Sequence, residues 1–405
     1  MKSAAENAGP LSEIRVLDLA DEKASLCSRL LSDMGARVIK IERPGGDTSR
    51  NSGPFWKGSP HPEGSLSFWF NNANKLGITL NIEKSAGREI FLRLLKKADV
   101  VVETFPPGYL SKLGLGFDVL HELSPGIILT SVTGFGQTGP YSPYKSCDLI
   151  ASAMGGQMYV TGSPSTSPLK PYGEQSYYTA SLFATISILL ALRKRGKTGK
   201  GEHLDISLQE AVVSTLEHVM IRYFYDHVIA ERRGNFYWNN EFCILPCKDG
   251  FMLVTLFQQW ETLVEWMGSE GMAGDLAEDK WKDEEYRLEH LDHIIDVVKR
   301  WTQAHRTGEL FEIAQLMRLP WAPVQSPEEV LESPQLNARG FLSPIEHPEI
   351  NAQVPYPKVP YGFNSIHLES PRRAPLIGEH NTEVFQGEMG FTDKEIERLS
   401  SEGVI

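Results

Sequence analysis

Residues 173–207 decide the fold and read GEQSYYTASLFATISILLALRKRGKTGKGEHLDIS. The centre, from Tyr178 to Leu192, is apolar almost all the way round, which predicts a helix buried in the core of a large protein. This run is shorter than about 20 residues and hydroxyl side chains interrupt it, so we do not expect it to span a membrane. Arg193–Arg195 suit the last turn of the helix, and Gly196 is predicted to supply its left-handed cap. GEHLDIS then predicts a strand.

Upstream of this helix, strands alternate with helices. IRVLDLA (14–20) and ARVIKIE (36–42) predict two strands, and the intervening residues through Leu31 predict a helix ending before Gly35. Strand, helix and strand at this spacing form a parallel βαβ unit. VVVETF (100–105) and GIILTSV (126–132) extend the pattern, so we expect an α/β fold with a doubly wound parallel sheet. The first turn lacks G-x-G-x-x-G, which argues against dinucleotide binding. Downstream, Leu208 to Ala230 predict one long amphipathic helix.

Composition limits the possible partners. The 405 residues carry a formal net charge of −12, which argues against nucleic acid, because phosphate backbones need a basic surface. A local basic pocket for a phosphorylated ligand stays possible. No secretory signal opens the chain, and the four cysteines suit reduced thiols, so we expect a cytoplasmic protein. Cys243 and Cys247 have no second pair or nearby histidine, so no metal site is expected.

Four short motifs stand in order along the chain: ERPG (42–45), VETFPPG (102–108), GFGQTGP (134–140) and APLIGEH (374–380). With the central helix and its TGKGEHLDIS tail, they resemble the family III CoA-transferases, which include formyl-CoA transferase, carnitine CoA-transferase and the methylacyl-CoA racemases. The resemblance runs from about Ile14 to the C-terminus. It implies an interlocked dimer of chains with a large CoA-binding domain (1–207 and 341–405) and a smaller α/β domain (233–325). A linker helix (208–232) and a second linker (326–340) are expected between them.

The resemblance also implies a CoA pocket, with CoA or acyl-CoA as substrate and no resident cofactor. Its expected contacts are Lys23, Ala24, Arg43, Asn74, Lys75, Thr104, Phe105, Lys112, Lys145 and Asp148. Lysines can neutralise the phosphates, and an aromatic ring can stack on the adenine. Thr104 stands where the family usually has asparagine.

One departure from the family concerns its nucleophile. In the family an aspartate starts the central helix, fifteen residues before the leucine of an Ala-Leu pair, and that position here is Tyr177. A carboxylate suits the reaction because it is ionised at neutral pH and leaves readily from an anhydride. A tyrosine is protonated at neutral pH and would form an aryl ester. The racemases also carry a histidine where this chain has Cys147, so racemisation is not expected.

Three explanations for Tyr177 stay open. The chain is the non-catalytic subunit of a heteromer whose homologous partner supplies the aspartate, or Glu174 replaces the aspartate, or the chain is a CoA-binding scaffold without chemistry. We favour the first. The resemblance then suggests succinyl-CoA as donor and (R)-benzylsuccinate, of toluene degradation, as acceptor. The dipeptide Glu379-His380 is interpreted as a helix cap or a packing contact, not as a catalytic base.

Overall fold

The computed structural model describes residues 9–237, 242–366, 368 and 371–405. These described residues fall into two compact units, one within 9–158, 170–229 and 337–405 and the other within 159–169 and 230–336. The strands are β1 (Arg15–Leu19), β2 (Arg37–Glu42), β3 (Leu76–Thr79), β4 (Val100–Glu103), β5 (Ile128–Thr133), β6 (His203–Ser207), β7 (Phe242–Pro246), β8 (Phe251–Thr255), β9 (Ala322–Pro323), β10 (Leu342–His347) and β11 (Ala352–Pro357).

The α-helices are α1 (Ser25–Asp33), α2 (Leu66–Asn72), α3 (Ser85–Leu95), α4 (Tyr109–Lys112), α5 (Phe117–Leu123), α6 (Asp148–Met154), α7 (Gln157–Val160), α8 (Gln175–Thr198), α9 (Leu208–Val213), α10 (Val219–Asp226), α11 (Trp260–Ser269), α12 (Glu284–Glu289), α13 (Leu291–Thr302), α14 (Thr307–Leu316), α15 (Pro327–Glu332), α16 (Pro334–Ala338) and α17 (Asp393–Ser401). A π-helix spans Thr382–Glu388.

The first unit contains a six-stranded sheet in the order β3-β2-β1-β4-β5-β6. Every adjacent pair is parallel. Strands β3, β4 and β5 are buried along their whole length, as expected of strands covered on both faces. The predicted parallel α/β sheet is therefore confirmed, and the chain reverses its winding direction between β1 and β4.

Alternating side chains of the sheet enter two separate cores, because successive residues of a strand point to opposite faces. Val16, Val38 and Val100 pack with α1 and α8 on one face. Leu17, Ile39 and Val101 pack on the other face with α3 and with C-terminal residues. Helices thus cover both faces, and both ends of the chain contribute to this unit.

Two sequence-based expectations about the helices are wrong. Helix α8 continues through Gly196 to Thr198, and Gly199, with a φ of 71°, provides the left-handed cap. The predicted helix 208–230 is broken into α9 and α10, with Glu217 between them at φ 28°.

Helix α8 is also not buried on every side. Small residues such as Ala180 and Ala184 face the core, while Leu182, Ile186 and Leu190 are exposed. By length and composition alone α8 could cross a membrane, which is weak evidence because the core helix of a soluble protein passes the same test.

The second unit has its own core. Strands β7, β8 and β9 form an antiparallel sheet. Five tryptophans are buried beneath it, namely Trp260, Trp266, Trp281, Trp301 and Trp321. The small domain predicted at 233–325 falls within this unit.

Candidate functional site

A cavity of about 260 Å³ opens at the carboxyl ends of β1, β2, β3 and β4 in the first unit. In doubly wound sheets, ligands bind at this edge, where the winding direction reverses. Its lining residues are Leu19, Asp21, Ile41, Glu42, Arg43, Gly46, Asp47, Thr48, Leu80, Asn81, Ile82, Glu83, Thr104, Phe105 and Tyr109. A second cavity, of about 180 Å³, lies at the opposite ends of β1 and β2, so the first is the candidate ligand site.

Three of the predicted CoA contacts line this cavity: Arg43, Thr104 and Phe105. The Phe105 ring stacks on Tyr109, with ring centroids 4.6 Å apart. The Thr104 hydroxyl accepts a hydrogen bond from the backbone N–H of Asp21 at 2.9 Å. These residues form a wall with an aromatic face, as a bound adenine would need.

Among the lining residues that the sequence did not single out are Glu83 and Tyr109. Arg43 donates to Glu83 Oε1 at 2.9 Å, and the Tyr109 hydroxyl donates to the same oxygen at 2.5 Å. Tyr109 follows Phe105 by four residues, so its place beside the motif was a usable signal. Glu83 lies on another loop, and nothing local in the sequence marks it.

Glu103 holds the backbone of Phe105 in this wall. It is buried at the end of β4, and its Oε2 accepts the backbone N–H of Phe105 at 2.6 Å. Burial raises the pKa of Glu103 to about 7, although hydrogen bonds from Ser131 and the Phe105 backbone lower it. The carboxyl group therefore titrates near neutral pH.

Lys75 does not lie at the cavity. Its ammonium group is buried and donates to Asp18 Oδ2 at 2.8 Å, to the Ser25 carbonyl at 2.8 Å and to Asn72 Oδ1 at 2.7 Å. All three hydrogens are used, which leaves none for a phosphate. Burial lowers the pKa of Lys75 to about 8, opposed by the charge of Asp18. Lys75 is therefore buried away from the described cavity, and its contact with CoA stays a prediction.

Other predicted contacts are dispersed. Asn74 bonds to Asp33 and to the backbone of Arg372, and it is likewise not a lining residue. Lys23 forms an ion pair with the lining residue Asp21, and Ala24 is buried at the start of α1. Lys112 and Lys145 are exposed. Contact of these residues with CoA stays a prediction.

Tyr177 joins the starts of two helices. Only 4% of the residue is exposed, and its hydroxyl accepts the backbone N–H of Asp148, the first residue of α6, at 3.0 Å. In return, Asp148 Oδ1 accepts the backbone N–H of Ser176 at 2.9 Å and its hydroxyl at 2.7 Å, at the start of α8. Because free N–H groups at helix starts attract anions, Tyr177 and Asp148 occupy donors that a catalytic carboxylate could otherwise use.

Carboxyl groups lie near Tyr177, and one of them, that of Asp148, forms an ion pair with Lys170 at 2.9 Å. Burial raises the pKa of the Tyr177 phenol above its ordinary value, and the carboxylates of Glu22 and Glu174 add to the shift. The hydroxyl is therefore neutral at pH 7. Burial also raises the pKa of Glu174, followed by the charges of Glu22 and Asp148. Glu174 precedes α8 and makes no side-chain capping bond.

Glu22 was not singled out from the sequence. Its Oε2 is enclosed and has no hydrogen-bond partner. Burial raises the pKa of Glu22, and the charge of Asp21 raises it further. Cys147 precedes α6 and is exposed. Among the described residues, no group of three or more His, Cys, Asp or Glu side chains could hold a metal ion.

Comparison with known proteins identifies the family. Residues 11–381 match the family model for CoA-transferase family III. The chain belongs to this family. It is 33% identical, over 97% of its length and 98% of the relative, to the subunit BbsE of succinyl-CoA:(R)-benzylsuccinate CoA-transferase from Thauera aromatica. It is 31% identical, over 98% of both chains, to the beta subunit of succinyl-CoA–L-malate CoA-transferase from Chloroflexus aurantiacus.

A solved structure supports the same assignment. The crystal structure of a CaiB/BaiF family protein from Brucella suis is similar to this chain, with a TM-score of 0.83 and 29% identity. It covers 95% of this chain and 100% of that one. The α/β fold with its six-stranded parallel sheet is therefore the fold of this family.

Proposed function

We propose that this chain is the non-catalytic subunit of a heteromeric CoA-transferase, which moves CoA from succinyl-CoA to a carboxylic acid. A homologous partner chain supplies the nucleophilic aspartate. The observation that carries the proposal is Tyr177, a neutral phenol at the position where the family has its carboxylate. We place the complex in the cytoplasm and expect its two chains to be interlocked.

The chemistry of transfer explains why this position matters. A carboxylate attacks the donor thioester and displaces the CoA thiolate, which leaves a mixed anhydride on the enzyme. The thiolate then attacks the enzyme's own carbonyl in this anhydride, which releases succinate and leaves CoA as an enzyme thioester for transfer to the acceptor. The Tyr177 hydroxyl keeps its proton at neutral pH, and a phenol would form an aryl ester instead of the anhydride. Its oxygen already accepts the Asp148 N–H. These features support a structural role for Tyr177.

Glu174 supports an alternative, a self-sufficient enzyme, because it lies three residues before Tyr177 at the start of α8. Burial raises the pKa of Glu174, which disfavours the ionised carboxylate that the reaction needs. It also lacks the N–H donors at the helix start, since Asp148 binds that of Ser176. We therefore favour the partner's aspartate.

The relatives guide the choice of substrates. Both relatives named above use succinyl-CoA according to their names, and both are subunits. We therefore propose succinyl-CoA as the donor and (R)-benzylsuccinate as the first acceptor to test, with L-malate as the second.

Exposed apolar side chains support a partner chain. On α8 these are Leu182, Ile186 and Leu190, and on α10 Phe224 and Tyr225 are more than half exposed. Leu182, Ile186 and Leu190 are spaced four residues apart and so share one face of α8, and contiguous exposed apolar patches mark surfaces that bind protein. A homologous subunit of this family would cover such surfaces.

The transfer reaction itself tests the proposal. CoA transfer from succinyl-CoA to either acceptor would be measured for this chain, for a homologous subunit that retains the aspartate, and for the two co-expressed. We expect activity from the co-expressed pair, and loss of that activity when the partner's aspartate is changed to asparagine. Full activity of this chain alone would contradict the proposal and favour Glu174, which Glu174→Gln would then confirm by abolishing it.

A further inference from the structure

A polar cluster of Arg43, Glu83 and Tyr109 lies along the wall of the candidate CoA cavity. One carboxylate oxygen, Glu83 Oε1, accepts both the Arg43 guanidinium at 2.9 Å and the Tyr109 hydroxyl at 2.5 Å. Burial of Tyr109 and its bond to Glu83 raise the pKa of this phenol, which therefore stays a donor. Glu83 thus engages two groups that face the cavity.

The charge balance of the cavity determines whether Arg43 of this cluster is available to bind a phosphate. Among the described residues that line the cavity, Arg43 is the only cation. The other charged lining residues are Asp21, Glu42, Asp47 and Glu83. Glu42 is paired with buried Arg50 and Asp47 with buried Lys40, so those two carboxylates are already balanced. Glu83 balances Arg43 and leaves the cavity without an unpaired guanidinium for a phosphate.

We infer that Glu83 sets the affinity of this cavity for CoA by competing with the ligand's phosphates for Arg43. This inference rests on the proposed assignment of the cavity to CoA. When Glu83 holds Arg43, a phosphate has to displace the carboxylate and then tolerate its negative charge nearby. The subunit therefore binds CoA more weakly than its fold permits.

The exposure of the pair limits the size of the effect. The side chains of Arg43 and Glu83 are 64% and 47% exposed, so solvent screens both their mutual attraction and the repulsion between Glu83 and a phosphate. Each of the two effects is therefore modest, and both weaken the binding of a phosphate at Arg43. Removal of the Glu83 charge relieves both, so we expect it to tighten CoA binding about tenfold, equivalent to about 1.4 kcal/mol.

The test is calorimetric titration of CoA into the purified chain and into its Glu83→Gln variant. Glu89→Gln is the matched control, since Glu89 is exposed on α3 and does not line the cavity. We expect tighter binding for Glu83→Gln only. The advantage should shrink as salt rises from about 50 mM to about 0.5 M, because salt screens the repulsion. A change in packing alone would not follow ionic strength in this way.

A double variant ties the gain to Arg43. Glu83→Gln with Arg43→Gln should bind CoA no more tightly than the wild-type chain. The inference is overturned if Glu83→Gln binds CoA equally, more weakly or undetectably, or if the double variant keeps the gain. None of these binding results depends on which chain carries the nucleophile, so they are independent of the transfer assay.

Discussion

The change of Tyr177 to phenylalanine separates a structural role from a chemical one. It removes only the hydroxyl that accepts the Asp148 N–H at 3.0 Å, and the ring stays to fill its buried space. The N–H at the start of α6 would then lie buried without an acceptor, which costs about 1–3 kcal/mol. No cavity term is added, because the ring volume is kept.

The free energy of unfolding would be measured by urea denaturation, with the slope compared between variants to confirm that the same transition is followed. Tyr172→Phe is the matched control, since Tyr172 is 98% exposed and should show no change. We expect Tyr177→Phe to be destabilised by the amount above. Transfer by the complex with its aspartate-bearing partner should stay within about twofold, a change of no more than about 0.4 kcal/mol in the barrier.

Two results would refute this reasoning. Unchanged stability would show that the Asp148 N–H does not depend on the Tyr177 hydroxyl. A tenfold or greater loss of transfer by a stably folded variant would show that the hydroxyl takes part in the reaction.

Three further predictions concern the fold and the cavity. Since burial raises the pKa of Glu103 to about 7, the folded chain binds an extra proton between its unfolded pKa and pH 7. Stability should therefore fall as pH rises through this window, by about 3 kcal/mol in total, and Glu103→Gln should flatten this pH dependence in urea titrations. Gly196→Ala should stabilise the chain by up to about 1 kcal/mol, because Gly196 lies in an exposed helix turn with open space around it. Gly199→Ala should destabilise it, because Gly199 has φ 71°. If Gly196→Ala instead unfolded at a lower urea concentration than Gly199→Ala, the cap would lie at Gly196. Arg50→Met should cost about 3–5 kcal/mol, because it leaves the buried carboxylate of Glu42 unpaired; adding Glu42→Leu should recover part of this loss, and no recovery would contradict the pairing.

The parallel sheet could be predicted because its signal is local. Each strand is an apolar run followed by a helical pattern, as in β1, α1 and β2, and the two features together fix a parallel unit.

The burial of α8 was overestimated because the sequence shows which residues are apolar but not what they contact. Its apolar residues surround the helix, and the sequence does not indicate that Leu182 and Leu190 face away from the chain's own core.

The break between α9 and α10 could not be predicted. Apolar periodicity continues across residues 214–218, whereas the backbone turns at Glu217 with φ 28°. The position of the α8 cap was also ambiguous, because Gly196 and Gly199 both follow the apolar run. The sequence alone does not indicate which of the two glycines adopts the left-handed conformation.

The candidate site was predicted only in part because its contacts are long-range. Lys75 stands in a motif that resembles a CoA contact, yet its counter-ion Asp18 lies 57 residues away in sequence. Glu83 and Arg43 are likewise 40 residues apart. The sequence identified Tyr177 as the departure from the family but could not indicate that its hydroxyl binds the start of α6.

The most direct test of the central claim is covalent trapping on the complex of this chain with its aspartate-bearing partner. The complex would be incubated with succinyl-CoA and quenched with hydroxylamine, and modified carboxylates would be located by mass spectrometry. We predict a hydroxamate on the partner's aspartate and none on this chain. A hydroxamate on Glu174 or Glu22 of this chain would contradict the account and identify it as a transferase with a displaced nucleophile.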